Sequence, residues 1–380
     1  MKIMYIYDSL AKFGGEERIL IDKMNWLANN SKNHIYLITT SQGNHPFIFT
    51  LSPNVKHIDI DIREHSQYKF KYPKRLFVKW VKLIQLKRNL QKQINAINPD
   101  IIIGTTHYRA DLICNLKCDS KIIIESHCNK NFSGKNDGIY RNLFMQVLNS
   151  IYMFYYTKTI ENKCDVLVTL TKGDAKNWNT SRICIIPNII TLIPNTQSMC
   201  NKKQVISVGR LTYSKGFDQL IDIWKIVNRK HPNWKLNIYG SGEEDINLKN
   251  MIQQYKLENI VTIHPPTPDI YSKMQESSIF ILSSMYEGFG LVLIEAMING
   301  VPCISFDCPY GPSNIIDNGN DGFLTPNGNI QAMADKICYL IENENVRKEM
   351  GERARYSAMR YAPENIMPLW EKLFNELVKC

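Results

Sequence analysis

One rhythm constrains this chain more than any other feature. Short, continuously apolar, β-rich runs alternate with longer helical stretches from end to end. In the first half the runs are Ile3 to Tyr7, Ile35 to Thr39, Val55 to Ile60, Ile101 to Ile103, Ile122 to Glu125, Val166 to Leu170 and Ile183 to Ile186. In the second half they are Val205 to Val208, Leu236 to Tyr239, Val261 to His264, Ile279 to Leu282 and Cys303 to Phe306. A strand that is apolar on both faces needs cover on both, and intervening helices supply it, so the pattern predicts the α/β class with parallel sheets. The 380 residues leave room for two such domains. The stretch 191–204 lacks a period and is rich in Pro, Asn, Thr and Ser; it reads as a linker between domains at 1–190 and 205–362. Beyond Pro363, the residues Ile366, Leu369, Trp370, Phe374 and Leu377 recur at helical spacing, so 363–380 predicts a helix with one apolar face that needs a groove. Two doubly wound domains facing across a cleft follow, with ligands expected beyond the carboxyl ends of the strands.

Composition narrows the class. Hydrophobic residues make up 44% and charged residues 22%, a globular balance that excludes disordered, collagenous and coiled-coil chains. No run approaches the roughly 18 apolar residues that span a bilayer. The N-terminus is apolar until Asp8 and lacks a small-residue cleavage pattern, so it reads as a first strand rather than an export signal. The ten cysteines are dispersed. The close pairs Cys114/Cys118 and Cys303/Cys308 lack the histidines of a zinc site, so reduced cytoplasmic thiols and no metal are expected.

The net charge of +10 is unevenly shared: residues 1–190 hold 27 Lys and Arg against 15 Asp and Glu, the remainder 19 against 21. The excess concentrates between Lys69 and Lys92, which contains no acidic residue; Lys69, Lys71, Lys74, Arg75, Lys79, Lys82, Lys87, Arg88 and Lys92 interleave there with Phe70, Leu76, Phe77, Trp80, Val81, Leu83, Ile84 and Leu86. Such a basic amphipathic segment suits an anionic membrane surface, at about 1 kcal/mol per cation. A solvated helix packed on its domain through the same apolar residues is the other reading, and nucleic acid a third.

Five strand ends carry candidate chemistry. Val205 to Val208 leads into Gly209-Arg210-Leu211 and Lys215-Gly216 before a helix with the stripe Phe217, Leu220, Ile221, Trp224 and Val227. Two cations and helix N–H groups there would suit a diphosphate, where a lone surface pair would only be solvated. Ile279 to Leu282 leads into Tyr286-Glu287-Gly288-Phe289-Gly290 and a helix from about Leu291, with Glu295 one turn in and leaning back toward the same ligand. Carboxylates beside a phosphate site suit a ligand that also has hydroxyls; for Glu295 alone, helix-dipole stabilisation is the simpler explanation. Ile3 to Tyr7 runs into Phe13-Gly14-Gly15-Glu16-Glu17-Arg18 and a helix from about Ile19, and two other strand ends carry Ser126-His127-Cys128 and His107. The glycine pair favours close approach of phosphate or sugar, and the histidines sit where a cleft edge is expected.

At Gly209-Arg210-Leu211…Lys215-Gly216, Tyr239-Gly240-Ser241-Gly242 and Tyr286-Glu287-Gly288-Phe289-Gly290-Leu291-Val292-Leu293-Ile294-Glu295-Ala296, the sequence resembles glycosyltransferase family 4. Gly14-Gly15, His127, Ile186-Pro187-Asn188 and the Trp370 helix look like the family's other landmarks. The resemblance implies a retaining, nucleotide-sugar-dependent enzyme of GT-B fold. It would have two Rossmann-like domains, the first binding acceptor and the second the nucleotide sugar, and a C-terminal helix crossing back to the first. It implies that Glu287 and Glu295 end an E-x7-E motif, the second holding the ribose and the first contacting the donor sugar. Arg210 and Lys215 would hold the diphosphate, and Gly14, Gly15, Gly209, Gly240, Gly288, Phe289, Gly290, Leu291 and Val292 would lie against the donor. Phe306-Asp307-Cys308-Pro309-Tyr310-Gly311-Pro312 looks like the bacterial subgroup that builds capsule, O-antigen or exopolysaccharide. A UDP-hexose or UDP-N-acetylhexosamine donor, a polyprenyl-diphosphate-linked saccharide acceptor and a peripheral location on the inner face of the plasma membrane are the corresponding expectations.

On this reading Arg210, Lys215 and the helix N-terminus stabilise the leaving diphosphate, so no metal or other cofactor is needed. His127 would contact sugar or phosphate rather than act as an obligatory base. A metal-dependent site at Asp59-Ile60-Asp61 is discounted, because its surroundings alternate like an ordinary strand. A nucleotide-sugar epimerase or sugar phosphorylase on the same fold stays open. A non-catalytic nucleic-acid-binding module also remains, and predicts steeply salt-dependent binding.

Overall fold

The computed structural model describes every residue except Phe13, Cys128, Asn129, 131–142 and Cys380, and gives the backbone alone for 143–145. The chain divides into two compact units, Met1–Ile189 with Ile366–Cys380, and Ile190–Asn365. Among the described residues no helix is long and apolar enough to cross a membrane.

In the first unit β1 (Lys2–Tyr7), β2 (His34–Thr39), β3 (Lys56–Asp59), β4 (Ile101–Thr105), β5 (Lys121–Ser126), β6 (Val166–Thr169) and β7 (Ile183–Ile185) form a parallel sheet ordered β3-β2-β1-β4-β5-β6-β7. Its helices are α1 (Gly15–Asn30), α2 (Lys74–Ile97), α3 (Ala110–Ile113), α4 (Leu143–Lys163) and α5 (Lys172–Ala175). α2 and α4 cover one face through Leu86, Leu90, Ile94 and Ile97, and through Tyr156 and Ile160. α1 covers the other with Leu20, Ile21, Met24 and Leu27. It starts at Gly15, earlier than the apolar period suggests: Glu16 and Glu17 occupy its first turn, where carboxylates complement the helix dipole. The basic stretch is not packed through all its apolar residues, as the second reading required. Leu76, Phe77, Trp80 and Ile84 are exposed, and burial on α2 begins at Leu86.

In the second unit β8 (Gln204–Val208), β9 (Lys235–Tyr239), β10 (Val261–His264), β11 (Ile279–Leu282), β12 (Cys303–Asp307) and β13 (Gly322–Pro326) form a parallel sheet ordered β10-β9-β8-β11-β12-β13. The helices are α6 (Phe217–Lys230), α7 (Asp245–Gln254), α8 (Ile270–Gln275), α9 (Leu291–Ile298), α10 (Ile330–Glu342) and α11 (Glu344–Ala358). β13 escapes the sequence pattern because it is an edge strand ending in proline, where no continuous apolar run is required. The irregular stretch 191–204 is fastened to this unit: Arg347 Nε donates to the Cys200 carbonyl at 2.9 Å, and Ser198 Oγ to the Ser277 carbonyl at 2.6 Å.

The last helix, α12 (Pro363–Lys379), returns to the first unit, where Ile366, Met367, Trp370, Leu373 and Phe374 join the core on the α1 face. Each fully buried large side chain contributes about 1.5–3 kcal/mol. Leu369, which the spacing assigned to this face, is 42% exposed, with Met367 and Leu373 in its place.

Beneath α12 lies a charge no apolar pattern reveals. Lys23 of α1 is 2% exposed and pairs with Glu125, 1% exposed, at the end of β5. The Trp370 ring lies 4.3 Å from the same ammonium. Burial opposes ionisation of Glu125, but Lys23 and then His127 outweigh it and hold the carboxyl at about 2. Burial likewise lowers Lys23, against the pull of Glu125.

Removing one partner of such a pair strands the other. Lys23→Met is expected to lower stability by about 3–5 kcal/mol in chemical denaturation, and the double variant Lys23→Met/Glu125→Leu to recover most of that loss. The acid limb follows from the sign of the Glu125 shift. Between its ordinary value of 4.5 and about 2 the unfolded chain binds the proton and the folded chain does not. Its contribution is therefore complete above that window and lost as pH falls through it, and Glu125→Gln should flatten this part of the stability curve.

Candidate functional site

In each sheet the strand order turns back on itself once, between β1 and β4 and between β8 and β11. Chains leaving two such neighbours depart to opposite sides, which opens a crevice at the carboxyl edge. In the second unit the two loops at that point are those after β8 and after β11, whose strands pair Ile279 with Val205 and Phe280 with Ile206.

The loop after β8 carries Gly209 and Arg210, a short turn at Tyr213–Lys215, and Gly216, whose φ of 60° starts α6. The loop after β11 runs from Ser283 to Gly290, whose φ of 92° lets α9 begin abruptly. The two are laced together: Met285 N donates to the Ser214 carbonyl at 2.9 Å, and Ser283 Oγ to the Lys215 carbonyl at 3.0 Å. At Gly216 a Cβ would fall 2.3 Å from the Ser283 carbonyl oxygen, so only glycine allows this approach.

That lacing brings two of the sequence candidates into contact. Lys215 Nζ lies 2.6 Å from Glu287 Oε1, which also accepts from Ser284 Oγ at 2.7 Å. Glu287 and Glu295 are each 9% exposed. Glu295 sits one turn into α9, and its carbonyl accepts from Asn299. Arg210 is exposed at the same edge, and Gly209, Gly288, Leu291 and Val292, in the same two loops and the start of α9, are partly exposed. Phe289 is buried and meets the Tyr361 ring edge-on at 5.7 Å, so it props the loop. Gly240 serves packing: a Cβ there would lie 2.0 Å from the Gly209 carbonyl oxygen, and Leu211 N donates to Ser241 O at 2.9 Å beside it. Two cations beside a helix N-terminus can hold a dianion, and the Glu287 carboxylate can accept from hydroxyls next to it.

The corresponding edge of the first unit is built differently. Space is open around Gly15, whereas Gly14 is packed against the Glu17 carboxylate. His127 does not stand free at a cleft edge: its side chain is 4% exposed and its Nε2 lies 3.0 Å from Glu125 Oε2, within the pair made with Lys23. His107, 37% exposed, pairs with Glu16, and the Tyr7 hydroxyl donates to Glu17 at 3.4 Å. Burial, the largest single influence on Glu16, acts to raise it, but the hydrogen bond with His107 and the proximity of His127 and His107 together outweigh it and lower it, whereas Glu17 is raised, chiefly by burial. Phe13 and Cys128, quoted beside these residues in the sequence, lie outside the described residues.

Sequence reasoning missed Lys23, Glu125, Glu16 and Ser284. The signals for the first two were a lysine inside the stripe Ile19, Leu20, Met24 and Leu27, and a glutamate closing the apolar run Ile122 to Ile124. On α2, Lys74, Lys79, Trp80, Lys87 and Arg88 are exposed. Arg75 stacks 4.3 Å over Tyr68, and Lys82 is turned inward to the Ile62 carbonyl. In the D-x-D, Asp59 accepts from Thr39 Oγ1 at 3.0 Å and Gly43 N at 2.8 Å, while Asp61 pairs with Arg63. Among the described residues no group of three or more His, Cys, Asp or Glu is arranged to hold a metal ion.

The model of the family described as glycosyl transferases group 1 matches residues 191–357. A Haemophilus influenzae protein named as an uncharacterized glycosyltransferase is 30% identical over 377 residues, 97% of this chain and 99% of that protein. The amylovoran biosynthesis glycosyltransferase AmsD of Erwinia amylovora is 28% identical, over 98% of this chain and 99% of its own. Among solved structures, Staphylococcus aureus TarM in complex with fondaparinux, alpha-GlcNAc-glycerol and UDP superposes with a TM-score of 0.80 at 19% identity, covering 98% of this chain and 99% of that one. Two doubly wound parallel sheets of this topology are the GT-B fold, and with a relative matched along nearly its whole length this chain belongs to the glycosyl transferases group 1 and is a glycosyltransferase.

Proposed function

We propose that this chain is a retaining enzyme of glycosyltransferase family 4. It would move a hexose or N-acetylhexosamine from UDP to a polyprenyl-diphosphate-linked saccharide in the building of a bacterial surface polysaccharide such as capsule, O-antigen or exopolysaccharide. The observation that carries the reading is the contact of Lys215 with Glu287 at the switch point of the second sheet, with Arg210 at the same edge and Glu295 one turn into α9. It supports a site for an anion joined to a hydroxyl-rich ring. The complex of TarM with UDP and alpha-GlcNAc-glycerol points the same way.

In this mechanism the bond from the anomeric carbon to the diphosphate breaks while the acceptor oxygen attacks from the same face. The acceptor proton passes to the departing phosphate oxygen, so no carboxylate nucleophile and no metal is required. Arg210, Lys215 and the α9 N-terminus stabilise the charge that develops on the diphosphate. The donor diphosphate takes Lys215 from Glu287, and Glu287 turns to a sugar hydroxyl. Glu295 holds the ribose. His127, fixed by Glu125, contacts the sugar or phosphate. The exposed cations of α2 hold the enzyme against the inner face of the membrane, where a lipid-linked acceptor resides.

Arg210→Ala and Lys215→Ala are each expected to lower kcat for sugar transfer about 10²- to 10³-fold with unchanged thermal unfolding. Wild-type turnover in purified Arg210→Ala would overturn the assignment. In a thermal-shift series UDP is expected to stabilise the chain, by about 2.7 kcal/mol at 100 times its Kd, and GDP much less. Transfer should proceed unchanged in EDTA.

A further inference from the structure

The first turns of both α2 and α4 run past the sheet they pack on. The end of α2 is fixed at the amino edge, where Asp100 N donates to the Lys2 carbonyl, and α4 ends likewise, with Asp165 N on the Ile122 carbonyl. Followed backwards, α2 reaches the far edge at Lys82, which bonds the carbonyl of Ile62 just beyond β3. α4 reaches it at Tyr156, whose hydroxyl donates to the Thr106 carbonyl just beyond β4. The turns before those points, from Lys74 on α2 and from Gln146 on α4, overhang the carboxyl edge by about 12 and 15 Å at the helical rise.

Among the described residues, both overhangs carry an apolar stripe that lies outside the first unit's core, while Met153, on another side of α4, still packs against that core. On α2 the stripe is Leu76, Phe77, Trp80 and Ile84, from 47% to 64% exposed. On α4 it is Val147, Leu148, Ile151, Phe154 and Tyr155, from 44% to 66% exposed. The spacings of three and four place each set on one side of its helix. A shared cation links the approach to α2 with α4: Arg109 pairs with Glu64, in the turn before α2, at 2.7 Å, and its guanidinium also faces Tyr152 of α4. Lys69, Lys71, Lys74, Lys79, Lys87 and Arg88 are exposed around the α2 stripe with no acidic residue between Lys69 and Lys92, and 143–157 carries no charge at all.

We propose that these two overhangs form a single anionic-lipid-binding face, in which α4 inserts apolar side chains and α2 supplies both insertion and charge. This deepens the membrane reading given above for α2 by adding a second helix that sequence charge does not mark. Cations without acids complement anionic headgroups, and Trp and Tyr favour the boundary between headgroup and acyl chain.

Flotation of the full chain with vesicles of phosphatidylglycerol and phosphatidylcholine, or of phosphatidylcholine alone, tests this. Wild type is expected to partition onto the anionic vesicles only. Phe154→Ser/Tyr155→Ser should lower its partition coefficient at least about tenfold, and Lys74→Glu/Lys79→Glu/Lys87→Glu at least about 100-fold. Tyr155→Trp, which keeps the surface aromatic and guards against loss of fold, should raise it. An α4 variant that floats like wild type while the lysine variant does not, or no rise with Tyr155→Trp, would overturn the two-helix face. So would wild type sedimenting as a dimer that the α4 variant makes monomeric, because a second copy would then be the occupant. The vesicles contain neither donor nor saccharide, so a chain that floats but transfers no sugar sinks the catalytic reading alone.

Discussion

Parallel pairing sends every strand of a sheet in one direction, so all the loops that can carry chemistry leave from a single edge. Reversal of strand order then selects two of them. In the second unit these are the loops after β8 and β11, and the polar lacing between them leaves little freedom: a serine hydroxyl, a backbone amide and a glycine without a Cβ hold Lys215 within reach of Glu287. Arg210, the α9 N-terminus and Glu295 have their places only because β8 and β11 are neighbours. A change that separated those strands would disperse the whole candidate site.

The two units handle charge in opposite ways, and magnitudes explain why. Lys215 and Glu287 have side chains 22% and 10% exposed, so water and an incoming ligand can replace either partner. Partly solvated pairs are worth little, on the order of 1 kcal/mol or less, and an anion with two charges can open one. Lys23 and Glu125 are 3% and 1% exposed, and a buried pair of this kind costs several kcal/mol to break. The first is suited to exchange and the second to holding a histidine and a helix in place. The Nε2 of His127 is therefore already committed to Glu125.

What was legible in the sequence follows the same division. Apolar runs named twelve of the strands because a doubly covered parallel strand must be apolar throughout, and they missed β13 because an edge strand need not be. The glycine-rich loops revealed Lys215 and Glu287, since residues needed for tight turns stand out in a sequence. The network of Lys23, Glu125, Glu16 and the two histidines was hidden. Its members come from α1, the ends of β4 and β5 and the loops that follow, and only the fold brings them together. Leu369 illustrates a smaller error: a spacing of three from Ile366 allows a buried position, but Met367 and Leu373 lie closer to the centre of the stripe that meets the sheet.

Helix length ties the proposed membrane face to the proposed chemistry. α2 has 24 residues and α4 has 21, about 36 and 31 Å, against roughly 20 Å for strands of six residues or fewer. Both helices run antiparallel to the strands and are fixed at the amino edge, so the surplus must emerge at the carboxyl edge. That is the edge of the first unit where Gly15, His107 and His127 lie. The turns that would touch lipid and the loops proposed to receive an acceptor therefore share one side of one unit. A saccharide held by a lipid tail would need to travel little beyond the headgroups to reach them, which gives the excess of positive charge in this half of the chain a reason independent of solubility.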